Sequence, residues 1–131
     1  MLLDTSGLFY YYHRDEPQHA DAVRFFNSAP FPITHSYVLA EFVPLCQARG
    51  LPRAAALTSA AGLLDNASVN FVWVDEGLHR DALSLLQNRL DKTYSLCDAV
   101  SFLLMRRHGL GDALTTDRHF EQEGFGRLLG A

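Results

Sequence analysis

Short apolar runs alternate along this chain with longer stretches in which apolar residues recur at helical spacing. The clearest short run, residues 69–74, is dense in β-branched and aromatic residues, a composition that favours a strand. Four other short runs have enough apolar character to be interpreted as strands as well. The pattern predicts five strands, at residues 1–3, 33–34, 69–74, 113–116 and 125–129.

The longer stretches predict helices, and the residues at their ends support this interpretation. Pro17 and Pro52 suit the first turn of a helix, while Ser36, Asp75 and Ser95 suit the N-cap position. Six helices are predicted, at residues 7–12, 17–28, 36–49, 52–66, 75–90 and 95–109.

This alternation of strands and helices favours an α/β sandwich with a mainly parallel sheet. In such sheets ligands bind beyond the carboxyl ends of the strands. Asp4 and Asp117 directly follow the predicted strands at residues 1–3 and 113–116. The sequence therefore predicts that both carboxylates lie at the ligand-binding edge of the sheet.

The composition predicts one ordinary globular domain over residues 1–131, since 48% of the residues are hydrophobic and 20% are charged. No apolar run approaches the roughly 20 residues of a membrane span, and we expect a cytoplasmic protein. Cys46 and Cys97 stand in apolar stretches and are expected to be buried, reduced thiols. The net charge of −4 argues against a generic nucleic-acid-binding protein, which usually has a basic face.

Two further acidic residues stand alone in apolar helices. Glu41 is the only charged residue between Pro30 and Arg49, and Asp98 is the only one between Lys92 and Arg106. We expect both helices to be well buried, and a buried carboxylate must be paired, hydrogen-bonded or bound to a cation.

A cluster of carboxylates at one edge of the sheet takes up protons or binds a cation. Oxygen ligands favour Mg²⁺ or Mn²⁺, which can activate water for phosphodiester hydrolysis. Each acid also has a simpler explanation: Asp4 can cap a helix, Asp117 can belong to a turn, and Glu41 and Asp98 can lie on solvated helix edges.

Several motifs together resemble the PIN-domain family over essentially the whole chain. They are Leu-Leu-Asp-Thr-Ser at residues 2–6, Val-Leu-Ala-Glu at 38–41, Ser-Leu-Cys-Asp-Ala at 95–99 and Thr-Thr-Asp-Arg-His-Phe at 115–120. The resemblance implies a three-layer α/β/α sandwich with a mainly parallel central sheet. It also implies a ribonuclease that depends on Mg²⁺ or Mn²⁺, similar to the VapC toxins of type II toxin–antitoxin pairs, with RNA as substrate, a homodimeric state and an antitoxin protein as partner.

The resemblance also implies roles for single residues. Asp4, Asp98 and Asp117 would be the metal ligands, and Glu41 would complete the catalytic quartet. Ser6, Thr116 and Arg118 would support these acids or contact the substrate. Cys97 departs from the family pattern, which commonly has Thr at this position, so a supporting hydroxyl group is expected to be missing there.

Other interpretations remain open at the level of the sequence. The turn at residues 3–7 resembles that of aspartic proteases, but the helical periodicity argues against their all-β fold. His119 stands beside Asp117, and we interpret it as an exposed loop residue. A PIN-like scaffold that dimerises and docks a partner without cleaving RNA is the main alternative function.

The arginines expected to form a basic rim for RNA are Arg14, Arg24, Arg106, Arg107 and Arg118.

Overall fold

A central sheet of five parallel strands, in the order β3-β2-β1-β4-β5, organises the computed structural model, which describes residues 1–130. The strands are β1 (Leu2–Leu3), β2 (Ile33–His35), β3 (Asn70–Val72), β4 (Asp112–Leu114) and β5 (Gly126–Arg127). The helices are α1 (Thr5–Tyr12), α2 (His19–Ser28), α3 (Ser36–Ala48), α4 (Arg53–Leu64), α5 (Glu76–Gln87), α6 (Leu96–Arg107) and α7 (His119–Gln122). The predicted α/β fold with a parallel sheet is confirmed.

Successive residues of the central strands contribute to cores on opposite faces of the sheet, because side chains alternate along a strand. Leu3 and Leu114 belong to the core formed with α1–α4. Leu2 and Ala113 belong to the core that includes Phe102 of α6. Helices α5 and α6 pack against each other on that second side. The central strand β1 is apolar throughout because helices cover both faces of the sheet.

Helix α1 begins directly after β1 and lies unusually close to β4. Gly7 permits this approach, since a Cβ atom added there would overlap the carbonyl group of Leu114. The end of β1 and the end of β4 are thereby brought to the same place. They carry Asp4 and the segment 115–117.

Two of the three predicted N-cap residues are confirmed. Asp75 caps α5 by accepting a hydrogen bond from the Leu78 N–H group at 2.8 Å, and Ser95 caps α6, as predicted. Ser36 does not cap α3. Its hydroxyl group accepts instead from the Val74 N–H group at 2.9 Å, beyond the end of β3.

Helix α2 begins two residues later than predicted, at His19, and α7 was not predicted at all. Four residues are too few for helical periodicity to be visible in the sequence.

Both cysteines are buried and free, as expected. Among the described residues, no helix has the length and hydrophobicity needed to cross a bilayer.

Candidate active site

A cavity of about 480 Å³ opens at the carboxyl ends of β1 and β4. All four acids singled out by the sequence line it, although they are separated by up to 113 positions in the chain. The complete lining is Asp4, Thr5, Ser6, Glu41, Leu45, Thr93, Ser95, Asp98, Thr116, Asp117 and His119. The predicted convergence of the acids is therefore present in the structure.

Asp4 lies at the bottom of this cavity, and only 5% of the residue is exposed to solvent. Its Oδ2 atom accepts a hydrogen bond of 2.7 Å from the Thr115 hydroxyl group. It occupies the N-cap position of α1, but its side chain makes no capping hydrogen bond, so the simple capping explanation is wrong. The pKa of Asp4 is raised to about 7, mainly by burial and to a smaller extent by the charges of Asp98 and Asp117, while hydrogen bonds oppose the shift.

Asp98 is held in place by the first turn of α6. Its Oδ2 atom accepts from the Ser95 N–H group at 3.0 Å, and its own N–H group donates to the Ser95 hydroxyl group at 3.0 Å. This reciprocal pair is a capping box. The residue is 6% exposed, so the prediction of a buried acid is correct and the solvated-edge alternative is wrong.

Glu41 differs from Asp98, because α3 is not buried at this position. The residue is exposed and lines the rim of the cavity, so the expectation of a buried acid is wrong here and the solvated-edge alternative is right. Partial burial and the charge of Asp98 raise the pKa of Glu41.

Thr115, which the sequence analysis did not single out, connects the two strand ends. Its hydroxyl group donates to Asp4 and accepts from the Asp117 N–H group at 3.0 Å. The Ser6 hydroxyl group lies 3.2 Å from it and accepts from the Thr116 N–H group at 3.0 Å. Thr116, which was singled out, lines the cavity, but the hydroxyl group that contacts Asp4 belongs to Thr115. The Thr-x-Asp spacing of a hydroxyl-based turn was a usable signal for it.

Asp117 belongs to a local turn and also faces the cavity. Its Oδ1 atom accepts from the His119 N–H group at 2.9 Å, which leads the chain into α7. The turn interpretation is therefore right about the local geometry. It does not compete with a role in the cavity, which Asp117 lines from a half-buried position.

His119 was interpreted as an exposed loop residue, and that interpretation is wrong. Its side chain is 24% exposed, and its Nδ1 atom lies 2.9 Å from Asp98 Oδ2 and 3.5 Å from Asp117 Oδ1. The unpredicted helix α7 starts at His119 and turns it towards the cavity. Ligand atoms of Asp98, Asp117 and His119 all lie within 4.8 Å of one another.

The predicted basic rim is largely absent. Arg24, Arg106 and Arg107 form ion pairs with acids of the surrounding surface: Asp21, Glu123 and Asp81. Arg14 and Arg118 are exposed and have no acidic partner among the described residues. Arg118 does not line the cavity, although its neighbours on both sides do.

The residues of the cavity fit a divalent cation. Four carboxylates line it, and its described lining contains no Lys or Arg to neutralise them. Two carboxylates about 4 Å apart repel each other by about 4 kcal/mol at an effective dielectric constant of 20. Oxygen donors in this number suit Mg²⁺ or Mn²⁺. Binding such a cation would favour the ionised form of Asp4, which burial alone disfavours.

Comparison with known proteins places this geometry in a family. Residues 1–125 match the PIN domain. The chain is 31% identical over 126 residues to the 23S rRNA-specific endonuclease VapC20 of Mycobacterium tuberculosis, and the match covers 95% of both chains.

Two solved structures are also similar. The crystal structure of Mycobacterium tuberculosis VapC20, described as a sarcin–ricin loop cleaving toxin, matches with a TM-score of 0.83 over 95% of both chains. A toxin–antitoxin complex from Klebsiella pneumoniae matches with a TM-score of 0.64 at 12% identity, over 99% of this chain and 98% of that one. At this low identity the second match shows the fold alone.

Proposed function

This chain belongs to the PIN-domain family, and from that premise we propose that it is a metal-dependent endoribonuclease of the VapC toxin type. The observation that carries the proposal is the convergence of Asp4, Glu41, Asp98 and Asp117 on one cavity without a basic residue in its described lining. A cavity lined by four carboxylates favours the binding of a cation. The negatively charged phosphate group of RNA would then bind to that cation.

We propose that Asp4, Asp98 and Asp117 would hold the metal; they lie directly after β1, in α6 and in the turn after β4. When bound, Mg²⁺ or Mn²⁺ would lower the pKa of a coordinated water and stabilise negative charge on the phosphate oxygens. Thr115 and Ser95 hold the carboxylates of Asp4 and Asp98 in fixed orientations.

Glu41 has a different part in this proposal. It lies at the rim of the cavity. Its pKa is raised towards neutral pH, and a pKa nearer the working pH favours proton exchange. We assign its carboxylate oxygens the role of accepting the proton of the attacking water. Ser6 and Thr116 line the same cavity and are placed to contact the substrate or to support the acids, and Arg118 is exposed beside it.

The substrate that we propose is structured ribosomal RNA. The relative with 31% identity is a 23S rRNA-specific endonuclease, and the matching structure is that of a toxin that cleaves the sarcin–ricin loop. Because the match covers 95% of both chains, we extend this substrate class to the present protein. We also propose a single domain over residues 1–131, a homodimer, an antitoxin protein as partner and a cytoplasmic location.

The test is RNA cleavage by protein purified free of any antitoxin. A hairpin with the sarcin–ricin sequence and intact 23S rRNA are incubated with Mg²⁺, Mn²⁺ or EDTA. We expect cleavage only with the metals, and a loss of at least about 100-fold in Asp4→Asn and Asp98→Asn. Asp65→Asn, at the exposed C-cap of α4, is the matched control and should cleave like the wild type.

A thermal shift measurement with Mn²⁺ separates a nuclease from a binding scaffold. The wild type and Asp65→Asn should be stabilised by Mn²⁺, and Asp98→Asn should not. Cleavage that survives EDTA or Asp4→Asn would overturn the metal-dependent mechanism. Stabilisation by Mn²⁺ without cleavage of either RNA would favour a scaffold that docks a partner.

A further inference from the structure

We propose that His119 is a positioning residue that fixes the orientation of two carboxylates, Asp98 and Asp117, for the cation. This inference rests on the proposed function, because it concerns the metal site of the nuclease. His119 is the one residue of the described cavity lining that contacts both acids with separate N–H groups.

The first contact restrains Asp98. The ring atom Nδ1 lies 2.9 Å from Asp98 Oδ2, the same oxygen that accepts from the Ser95 N–H group at 3.0 Å. Two donors on one oxygen fix the plane of the carboxylate. No hydrogen bond within residues 1–130 reaches the other oxygen, Oδ1, which remains available to a cation.

The second contact restrains Asp117. The backbone N–H group of His119 donates to Asp117 Oδ1 at 2.9 Å, and ring atom Nδ1 lies 3.5 Å from that same oxygen. Oδ2 of Asp117 receives no hydrogen bond among the described residues. One residue therefore holds one oxygen of each acid and leaves the other oxygen of each acid free.

The orientation of the imidazole ring is itself determined by the loop before α6. The ring atom Nε2 lies 3.1 Å from the Thr93 hydroxyl oxygen. The ring also contacts the edge of Tyr94, with the two centroids 5.2 Å apart and the planes at 69°. Tyr94 is buried against Phe102, so this side of the ring rests on the core.

The positioning role does not depend on the charge of the ring. An ionised carboxylate only accepts hydrogen bonds, so Nδ1 must carry the proton that it donates to Asp98. In the neutral ring Nε2 then accepts from the Thr93 hydroxyl group, and in the charged ring it donates to that oxygen. Nδ1 is a donor in both states, and its lone pair is not free to bind a metal.

The test compares two substitutions at His119 by the affinity of the purified protein for Mn²⁺, measured without RNA. His119→Asn keeps an N–H donor on an atom bonded to Cγ, at the position of Nδ1. His119→Phe keeps an aromatic ring against Tyr94 but has no donor. We expect the phenylalanine variant to bind Mn²⁺ tenfold to a hundredfold more weakly, and the asparagine variant to stay within about threefold of the wild type. Equal affinities for the two variants would overturn the proposal.

Pulsed electron paramagnetic resonance of Mn²⁺ distinguishes positioning from direct ligation. We expect no directly coordinated imidazole nitrogen in the wild type. A strong nitrogen coupling that disappears in His119→Asn would overturn the positioning role and make His119 a ligand. His108→Phe, at an exposed position at the end of α6, is the control and should change neither the coupling nor the affinity.

Thr93 provides a second pair of variants in case His119→Phe does not fold. Thr93→Val removes the hydroxyl group that holds Nε2, whereas Thr93→Ser keeps it. We expect a weaker affinity for Mn²⁺ in the valine variant only, and equal affinities would contradict the proposal. A wild type that binds Mn²⁺ but cleaves no RNA would refute the nuclease function, while a difference between the variants would still support positioning.

Discussion

Two buried residues illustrate how burial changes the chemistry of a side chain. Burial is the main reason that the pKa of Asp4 is raised to about 7, and it lowers the pKa of His35 to about 3, because removal from water disfavours the charged form of each. Asp4 faces the candidate metal site, where a cation would restore its charge. His35 has no acidic partner within residues 1–130. It is fully buried, and its Nε2 atom lies 2.8 Å from the Ser101 hydroxyl group.

His35 should make the protein sensitive to acid. Its pKa in the folded protein, about 3, lies below the ordinary value of 6.5, so below pH 6.5 the unfolded chain binds a proton that the folded chain excludes. His35 therefore lowers the free energy of unfolding as the pH falls, by about 1.4 kcal/mol per unit, or about 2 kcal/mol between pH 6.5 and pH 5. The raised pKa of Asp4 acts in the opposite direction over the same range. The contribution of His35 is therefore measured by urea unfolding at the two pH values as the difference between the wild type and a variant without this histidine.

His35→Leu removes the titrating group, so relative to the wild type it should gain about 2 kcal/mol in free energy of unfolding between pH 6.5 and pH 5, whatever its own stability at pH 6.5. The exposed His108→Leu provides the comparison and should keep the slope of the wild type. Parallel pH profiles for the wild type and His35→Leu would show that His35 is not responsible.

Residue patterns in the sequence identified the acids but not the groups that orient them. Asp98 stands out because no other charge is near it in the sequence. Thr115 and His119 do not stand out, because a hydroxyl group or an imidazole ring occurs in many environments. Their roles depend on contacts with Asp4 and Asp98, which are 111 and 21 positions away.

At the scale of elements, the glycines Gly7 and Gly62 show why local propensity is not sufficient. Gly7 lies within α1 and Gly62 lies within α4, at helical positions where alanine is normally preferred by about 1 kcal/mol. A Cβ atom at Gly62 would meet no atom within 4 Å, whereas at Gly7 it would overlap the backbone of Leu114. The same substitution should therefore have opposite effects in the two helices.

Gly7→Ala should destabilise the protein by about 3 kcal/mol or more, because the backbone of β4 cannot yield without moving α1 and the strand end. Gly62→Ala should stabilise it by about 0.5–1 kcal/mol. Equilibrium unfolding in urea measures both changes. A neutral or stabilising Gly7→Ala would mean that α1 and β4 are less closely packed than the structure indicates.

Predictions for whole elements succeeded where the signal was long and local. Helix α6 combines a capping residue with a continuous apolar stretch, and its position followed from the sequence. Helix α3 has similar composition but exposes Glu41, because burial depends on which elements pack against a helix and not on its composition alone. Helix α7, with four residues, has no periodicity to detect.

At the scale of the whole molecule, charge limits how the protein can bind RNA. The net charge is −4, and of the 11 Lys and Arg residues only three lack an acidic partner within 4 Å among the described residues: Arg14, Arg53 and Arg118. Affinity for RNA should then depend on the metal site and the shape of the substrate more than on contacts with many phosphates.

This limit predicts a weak salt dependence. With at most three free cations, the slope of log affinity against log salt concentration should be no steeper than about −2 for single-stranded RNA in EDTA. Arg118→Ala should reduce its magnitude by about 0.7 if Arg118 contacts RNA, whereas the exposed Arg53→Ala should leave it unchanged. Fluorescence anisotropy across a series of NaCl concentrations measures the slope. A slope steeper than about −4 would require a basic surface that a single chain does not provide.

The sequence by itself determined the fold class, the caps of α5 and α6 and the identity of the four acids. These features depend on periodicity and residue type within a few positions, so they can be recognised without distant contacts. The tertiary structure decided how deeply each acid is buried, which hydroxyl group contacts Asp4 and that His119 faces the cavity. Each of these depends on a packing contact between segments far apart in the chain, and a local pattern carries no information about such a contact.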